Sequence, residues 1–379
     1  MRRFKLFQCF GSVLILLFTT PIFAQPTMSI TSYLVRDNNV FEGRDSYNMW
    51  MNHSALQLGY RWIMDGIRIR GSYTLDVNQY PDQTWFNSYS HLIALNTSYD
   101  FEDNVIQING SARIREYDET LNYYNVNQYE LTAQIQNSPS LQKLSSVGLV
   151  VQRETYSEYS DLDNLTYQLF GKYQYFFQSG LSLTANAQVG VKNYLNQTML
   201  VDYGSGTDSE RTREDAVKAA QVASSIRIAK SITNKMGLSF EAGGQWFLGD
   251  PIEAYTGGVY YFTENDLYDD LYAYQGIYAS LQLTRQFAIG FQAKLGARAQ
   301  SKDYAGTPAL DDEGLLLGET RKDTRREYYI ATSKRIGTGW KVLSYVDVFA
   351  NFMYRQNPSN DPYYDFDDQI GVIGLSLGF

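Results

Sequence analysis

The sequence predicts an all-β chain closing into a 16-stranded antiparallel transmembrane β-barrel with short periplasmic turns and long extracellular loops. Three observations point there. Apolar and polar side chains alternate with period two through sixteen segments separated by turn residues. The connections between those segments are alternately tight and long, as in bacterial barrels, whose strand number is even. Beyond the first two dozen residues no apolar run approaches the roughly 20 residues of a spanning helix, although the chain carries 32 Tyr, 20 Phe and 5 Trp.

Residues 1–24 open with Arg2, Arg3 and Lys5, continue through an apolar run at 10–18 and finish Pro21-Ile22-Phe23-Ala24. That order of charge, apolar core and small residue is the order of a secretory signal peptide. The apolar run is too short to span a bilayer as a helix. Cleavage before Gln25 is therefore expected, with residues 25–379 forming one barrel domain. Cys9 is the only cysteine and falls in the leader, with no lipobox-like sequence after it. Disulfides and thiolate metal sites are thus not expected in the mature chain. The formal net charge of −9 opposes the basic surface that nucleic-acid binding requires.

In chain order, residues 28–35 form the first strand. Leu56, Leu58, Tyr60, Trp62 and Met64 then mirror Ile67, Ile69, Tyr73 and Leu75 across Asp65-Gly66, a strong two-residue hairpin signal. Residues 93–101 turn at Glu102-Asp103-Asn104 into 106–114, and 129–135 turn through Ser138-Pro139-Ser140 into 147–151. Residues 165–175 reverse at Gln178-Ser179-Gly180 into 181–191, and 222–228 pass through 233–237 into 238–246. Residues 277–283 reverse at Arg285-Gln286 into 289–297, and 329–333 reverse through Gly337-Thr338-Gly339 into 342–350. Residues 369–379 form the last strand. The segments between hairpins are long and polar: 36–53, 117–127, 194–215, 250–270, 302–324 and 355–367. A soluble β-sandwich has no reason to lengthen every second connection. With about 22 residues per strand and connection, roughly ten remain for a tilted spanning strand.

Aromatic residues gather at the strand ends. Tyr60, Trp62, Tyr99, Phe101, Tyr173, Tyr175, Phe177, Trp340 and Phe379 fall beside the tight turns, and Trp246, Phe247, Tyr272, Tyr274, Phe352 and Tyr354 beside the long loops. Two girdles at the two membrane interfaces are expected from this placement.

The chain ends by placing Ile373, Leu375, Leu377 and Phe379 on one strand face and finishing on an aromatic residue. This resembles the C-terminal signature of Gram-negative outer-membrane proteins. The resemblance implies location in the bacterial cell outer membrane. It further implies recognition of Phe379 by the barrel insertion machinery, with outer-membrane lipid and lipopolysaccharide as surroundings.

If the apolar faces meet lipid, the intervening residues face the interior. Arg61, Arg68, Arg70, Arg113 and Arg115, with Lys172, Lys192, Arg227, Lys294 and Arg298, then line the lumen as a substrate-binding wall, while Asp76, Glu130 and Glu241 are the plain inward acids. Guanidinium groups hold carboxylate and phosphate with two parallel hydrogen bonds, so a basic wall favours anionic solutes or an acidic polysaccharide. Pairing of these arginines with acids from infolded loops, which would plug the barrel, is the competing expectation.

Acids dominate the long connections instead, for example Asp202, Asp208, Glu210, Glu253, Glu264, Asp311, Asp312 and Glu313. No spacing matches a calcium loop, and Asp365-Phe366-Asp367-Asp368 lacks the glycine of the tight turn, so solvated charge is expected rather than a metal site. No cofactor is expected. His53 and His91 are the only histidines, and neither sits in a serine-elbow or histidine-led motif, although Ser46 and Ser54 are near His53. The expectation is a protein that is not an enzyme.

The segment from Tyr354 to Phe379, with Ser359-Asn360 and then Tyr363-Tyr364-Asp365 before the last strand, is similar to the ending of surface lipoprotein assembly modifiers and of exopolysaccharide secretin barrels. The resemblance implies transfer of material to the cell surface. Both families usually carry tetratricopeptide repeats ahead of the barrel, and no such repeat occurs here, so a periplasmic export partner would have to supply them. The resulting expectation is a passive pore for anionic substrates, with exopolysaccharide export ahead of general diffusion. A plugged structural or assembly barrel is the alternative, and a hydrolase comes third.

Overall fold

A computed structural model describes residues 24–379 other than 41, 45, 159, 196–217, 250–271 and 341. Residues 1–23 of the leader expected at 1–24, and most of the connections 194–215 and 250–270, lie outside the described residues. Sixteen strands follow in order: β1 (Ala24–Asp37), β2 (Met49–Met64), β3 (Ile67–Gln79), β4 (Ser88–Phe101), β5 (Asn104–Tyr117), β6 (Val126–Ser140), β7 (Lys143–Tyr156) and β8 (Asn164–Phe176). They continue as β9 (Leu181–Tyr194), β10 (Lys218–Thr233), β11 (Met236–Phe247), β12 (Gln275–Gln286), β13 (Phe291–Leu310), β14 (Leu316–Gly337), β15 (Tyr345–Asn357) and β16 (Phe366–Gly378). Each pairs antiparallel with its sequence neighbours, and β1 pairs with β16, so the barrel closes. The sixteen strands fall where alternation put them, and so do four of the seven tight reversals; the one expected at Arg285-Gln286 lies at 287–290, and the one expected at Gly337-Thr338-Gly339 extends over 338–344, leaving Val342 and Ser344 outside β15.

Period-two alternation decides which face is which. On β4, Ile93, Leu95 and Tyr99 point outward and are 62%, 52% and 46% exposed, while Ala94, Asn96 and Ser98 alternate inward. The same holds for Leu131 and Ile277, 53% and 61% exposed. Apolar side chains left this bare around a whole barrel would be costly in water, so the outer face is a lipid-facing surface. The buried apolar cluster described below sits at one mouth and not on the barrel axis.

The strands are strongly tilted. A hydrogen-bonded row begins at Gly378, at the periplasmic end of β16. It runs through Ser29, Gln57, Thr74, Leu92, Arg113, Gln128 and Glu154 to Asn164, at the extracellular end of β8. Half a circuit therefore climbs a whole strand length, which is the stagger a closed sheet requires.

Several expectations are corrected. The connection expected at 302–324 is mostly strand: β13 and β14 span 20 and 22 residues and turn only at Asp311 to Leu315, so a paired hairpin rises above the membrane. Its inner face is buried with polar side chains, Lys302, Arg321 and Asp323 among them, so nothing there imposes apolar alternation. The connections 36–53 and 355–367 shrink to 38–48 and 358–365, and two further extracellular connections, 80–87 and 157–163, each carry a short 3-10 turn. The turn expected at Ser138-Pro139-Ser140 lies one step later, because β6 runs on to Ser140 through a register shift after Asn137. A proline lacks the N–H that regular pairing would use there. In the outer girdle, Trp246 and Phe352 do point outward, 43% and 46% exposed. Phe247 instead shares its strand face with inward Glu241, and Tyr274, 3% exposed, continues the inward series of Gly276 and Tyr278. Proximity to a loop had placed these two in the girdle, and strand parity removes them.

Substituting Leu131→Arg on the outward face should cost about 2–4 kcal/mol, read by reversible urea unfolding in vesicles, whereas Thr132→Arg on the next position should cost far less. Equal costs would contradict the facing.

Candidate functional site: the lumen wall

Register places Arg61, Arg68, Arg70, Arg113, Arg115, Lys172, Lys192, Arg227, Lys294 and Arg298 on the inward face, opposite the apolar one. They do not form one ring. Arg61 and Arg70 face each other across β2 and β3 near the periplasmic turn, and Arg68 lies one inward position below Arg70. These three converge on a recess of about 470 Å³ completed by Thr27, Asn96, Ser98, Gln107 and Asn109. Arg68 is tied down, donating to Ser98 Oγ at 3.1 Å and to Asp100 at 2.5 Å. Arg61 and Arg70 are exposed to the lumen and make no ion pair among the described residues.

Arg113 lies outside this recess, four positions further up β5 than Asn109. Like Lys172, Arg227 and Lys294 it has no ion pair among the described residues. Arg227 stands opposite Glu241, but Glu241 instead accepts a 2.6 Å hydrogen bond from Tyr278 O–H. Arg298 lies over the Tyr278 ring at 4.6 Å, and Lys192 lies over the Tyr194 ring at 5.2 Å. Cations thus climb the wall from β2 through β10 and return on β13.

The expectation of few inward acids is corrected. Besides Asp76, Glu130 and Glu241, the inward face carries Asp100, Glu154, Asp323, Glu327, Asp347 and Asp368. Arg335 pairs with Asp347 at 2.6 Å, and Arg321 pairs with Asp323 at 2.5 Å. The unpaired cations therefore concentrate on β2, β3, β5, β8, β10 and β13. The inward face is also not uniformly polar. On β15, β16, β1 and β2 three successive rows read Phe349, Gly374, Tyr33, His53; then Asn351, Val372, Val35, Met51; then Met353, Ile370, Asp37, Met49. The sequence signal was available in Leu34-Val35 and Val372-Ile373, adjacent apolar pairs that break strict alternation and mark strands apolar on both faces.

At the extracellular mouth the connections fold together. Met49, Phe86, Leu121 and Tyr124 are buried against Val40, Tyr80, Trp85 and Tyr117, joining the connections 38–48, 80–87 and 118–125 into one apolar core. The first of these is latched to the neighbouring wall of β14 and β15. Glu42, held at φ 46°, accepts from Arg325 at 2.6 Å and from Arg355, and Arg355 also reaches Glu327 at 3.3 Å. Arg44 meets Asp312 at 2.6 Å on the protruding hairpin. That hairpin is tied in turn to the last connection, since Asp323 accepts from Ser359 at 2.8 Å and from Asn357 at 3.3 Å. Asp361 caps the same connection, accepting from the N–H of Tyr363 and of Leu310 at 3.0 and 3.2 Å, and burial pushes its carboxyl above the usual carboxylate range.

The histidines take polar structural places. His53 stacks on Tyr33 at 4.3 Å, with Nδ1 2.7 Å from Asn78 Oδ1 and Nε2 3.6 Å from Asp76. Ser54 lies on the opposite strand face, so the two are not brought together. His91 faces outward, 2.7 Å from the Tyr73 hydroxyl. Among the described residues no cluster of His, Cys, Asp and Glu is arranged to hold a metal ion.

No protein-family model and no curated protein matches the chain. Solved structures do. OprD from Pseudomonas aeruginosa aligns with a TM-score of 0.50 at 8% identity, covering 96% of this chain and 97% of that one, and a variant of OccD1 (OprD) reaches 0.52. The outer-membrane protein opdK from Pseudomonas aeruginosa aligns with a TM-score of 0.50 at 9% identity over 94% and 99%. CdiB from Acinetobacter baumannii gives 0.50 at 9% identity, with 93% of this chain matching 60% of that one. At these identities the likeness is one of fold: this chain folds as the closed 16-stranded antiparallel β-barrel of outer-membrane proteins.

Removing the latch by Glu42→Ala leaves Arg325 and Arg355 facing each other without their shared acid. Trypsin cleavage after Arg44 should speed up by about tenfold while the barrel stays heat-modifiable on a gel. An unchanged cleavage rate would show that Glu42 does not hold this connection.

Proposed function

We propose that the chain is a passive outer-membrane channel for small anionic solutes. The observation that carries this reading is the pair of unpaired, lumen-facing guanidinium groups of Arg61 and Arg70 in a recess that also holds Arg68, paired with Asp100, and is completed largely by neutral Thr, Asn, Gln and Ser side chains. Such a recess offers charge-assisted, two-pronged contacts to a carboxylate or phosphate. Arg113, Lys172, Arg227 and Lys294 continue the positive field along the wall, so an anion meets several weak sites in succession. Binding strong enough to enter and weak enough to leave is what conduction needs. Fixed cations on the low-dielectric wall of a passage also raise the local anion concentration. No energy source is required, because the solute moves down its own gradient.

Export of an acidic polysaccharide is the second reading, supported by the ending from Tyr354 to Phe379. The same basic wall would serve it, with a periplasmic partner presenting the polymer. Delivery of the chain to the membrane fits a C-terminal strand whose last residue is paired: Phe379 N–H donates to Met28 at 2.8 Å, which seals the seam that the insertion machinery would read.

The test is reversal potential in a potassium chloride gradient across a planar bilayer holding the refolded protein. Anion selectivity is expected, and Arg61→Gln with Arg70→Gln should lower the anion-to-cation permeability ratio by about twofold. Cation selectivity, or a ratio indifferent to both substitutions, would remove the reading.

A further inference from the structure

We infer that the recess at Arg61 and Arg70 is a binding site for sugar phosphates, the phosphate held between the two guanidinium groups and the hydroxyls lying on the adjoining amides. The inference rests on the anion reading above and adds the substrate class.

Strand register lays the site out as one row. Arg61 faces Arg70 across β2 and β3, Arg70 faces Asn96 on β4, and Asn96 faces Asn109 on β5. Four inward side chains on adjacent strands therefore span about 14 Å, with both cations at one end and both amides at the other. The inward row above them is Gly59, Ser72, Ala94 and Ser111, all small. Small residues above a row of long ones leave a hollow, which is the recess of about 470 Å³, a size usual for small-molecule sites. A side chain at position 59 would meet the Thr27 hydroxyl, so glycine there admits one more polar group to the lining. Below the row lie Arg68, Ser98 and Gln107, while Ile63, which begins that lower row, stands outside the recess.

Two like charges set directly opposite each other across a strand pair repel. No acid of the recess answers them: Asp100 is taken by Arg68, and the next inward acid by register, Glu130, lies on β6 opposite Ser111 and outside the lining. One compact group with two negative charges satisfies both guanidinium groups at once, accepting from each in a two-pronged geometry. A phosphate monoester is such a group, carrying close to two charges at neutral pH. A single carboxylate supplies half of that charge. At the other end of the row, Asn96 and Asn109 make no hydrogen bond to another side chain or to the backbone among the described residues. Each side-chain amide offers two donors and an acceptor, the mixture that neighbouring sugar hydroxyls take up. Tyr60, Ile69 and Thr97 border the recess with outward parity, so its inward side chains are cationic, hydroxyl or amide throughout. None of them favours an alkyl or aromatic body over a hydroxylated one.

The experiment is block of chloride current through the full chain in planar bilayers by glucose 6-phosphate, hexyl phosphate, glucose 6-sulfate and glucose. Glucose 6-phosphate should block at about fivefold lower concentration than hexyl phosphate, which has the same charge without the hydroxyls. It should also block at about fivefold lower concentration than glucose 6-sulfate, which has the hydroxyls and one charge fewer, and glucose should not block. Asn96→Val with Asn109→Val should abolish the advantage over hexyl phosphate, and Arg61→Gln with Arg70→Gln the advantage over glucose 6-sulfate. Block by hexyl phosphate equal to that by glucose 6-phosphate, or an advantage unchanged in the Asn96 and Asn109 variant, would overturn the inference while leaving an anion-selective channel standing. Equal block by glucose 6-sulfate would overturn the assignment of a doubly charged group. The comparison of the four solutes in the unsubstituted chain stands whether or not a variant refolds. Failure of the anion reading shows separately, as cation selectivity in the reversal potential of the unsubstituted protein.

Discussion

Closure of the hydrogen-bond ladder between β1 and β16 is the constraint on which everything else in this molecule depends. In hydrocarbon an unpaired backbone N–H or C=O costs several kcal/mol, so a sheet can cross a bilayer only with no free edge. The seam is paired over nine residues on each strand, from Ser29 with Gly378 to Asp37 with Ile370, and Met28 and Phe379 exchange backbone hydrogen bonds below it. Antiparallel closure requires an even number of strands joined by hairpins, and that in turn forces alternate connections onto opposite sides of the membrane. Lipid then selects the outer face, leaving the inner one free to vary.

That freedom is visible in the lumen. A soluble barrel would fill its axis with apolar side chains, whereas here the inner face is charged along one sector and partly apolar along another. The two sectors solve different problems. Cations beside cations repel unless acids or passing anions neutralise them, and only some are given acids: Arg68 has Asp100 and Arg335 has Asp347, while Arg61 and Arg70 are left open. At the extracellular mouth the balance is reversed. Glu42, Arg325, Arg355 and Glu327 are nearly buried and mutually paired, so charge there fastens connections to the wall.

Much of this was legible in the sequence because the bilayer enforces period two. All sixteen strands and the inward placement of the ten candidate cations follow from alternation alone. What escaped were features the bilayer does not enforce. The rise of β13 and β14 above the membrane left no apolar stripe, so Lys302 and Asp323, paired in register, looked like loop. Pairing of Arg68 with Asp100 depends on which acids reach across strands, and alternation says only that they share a face. Tyr274 and Phe247 were assigned by nearness to a connection, where parity would have turned them inward. Val35 and Val372 were readable as interruptions of alternation, but an apolar residue facing a lumen has meaning only once closure shows that their rows are neighbours. Glu42 had no local signal at all, since its partners lie about three hundred positions away along the chain.

The central claim is a closed barrel whose apolar face meets lipid and whose opposite face lines the interior, where an anion-attracting passage is proposed. Because Cys9 is the only cysteine, single cysteines can be placed at will. The most direct measurement introduces them at Ile108, Asn109, Leu131 and Thr132 and treats intact cells with membrane-impermeant thiol reagents, one anionic and one cationic, of equal size. The account predicts labelling at 109 and 132 but not at 108 and 131, with the anionic reagent reacting faster. Labelling at 108 and 131, or none at 109 and 132, would contradict it.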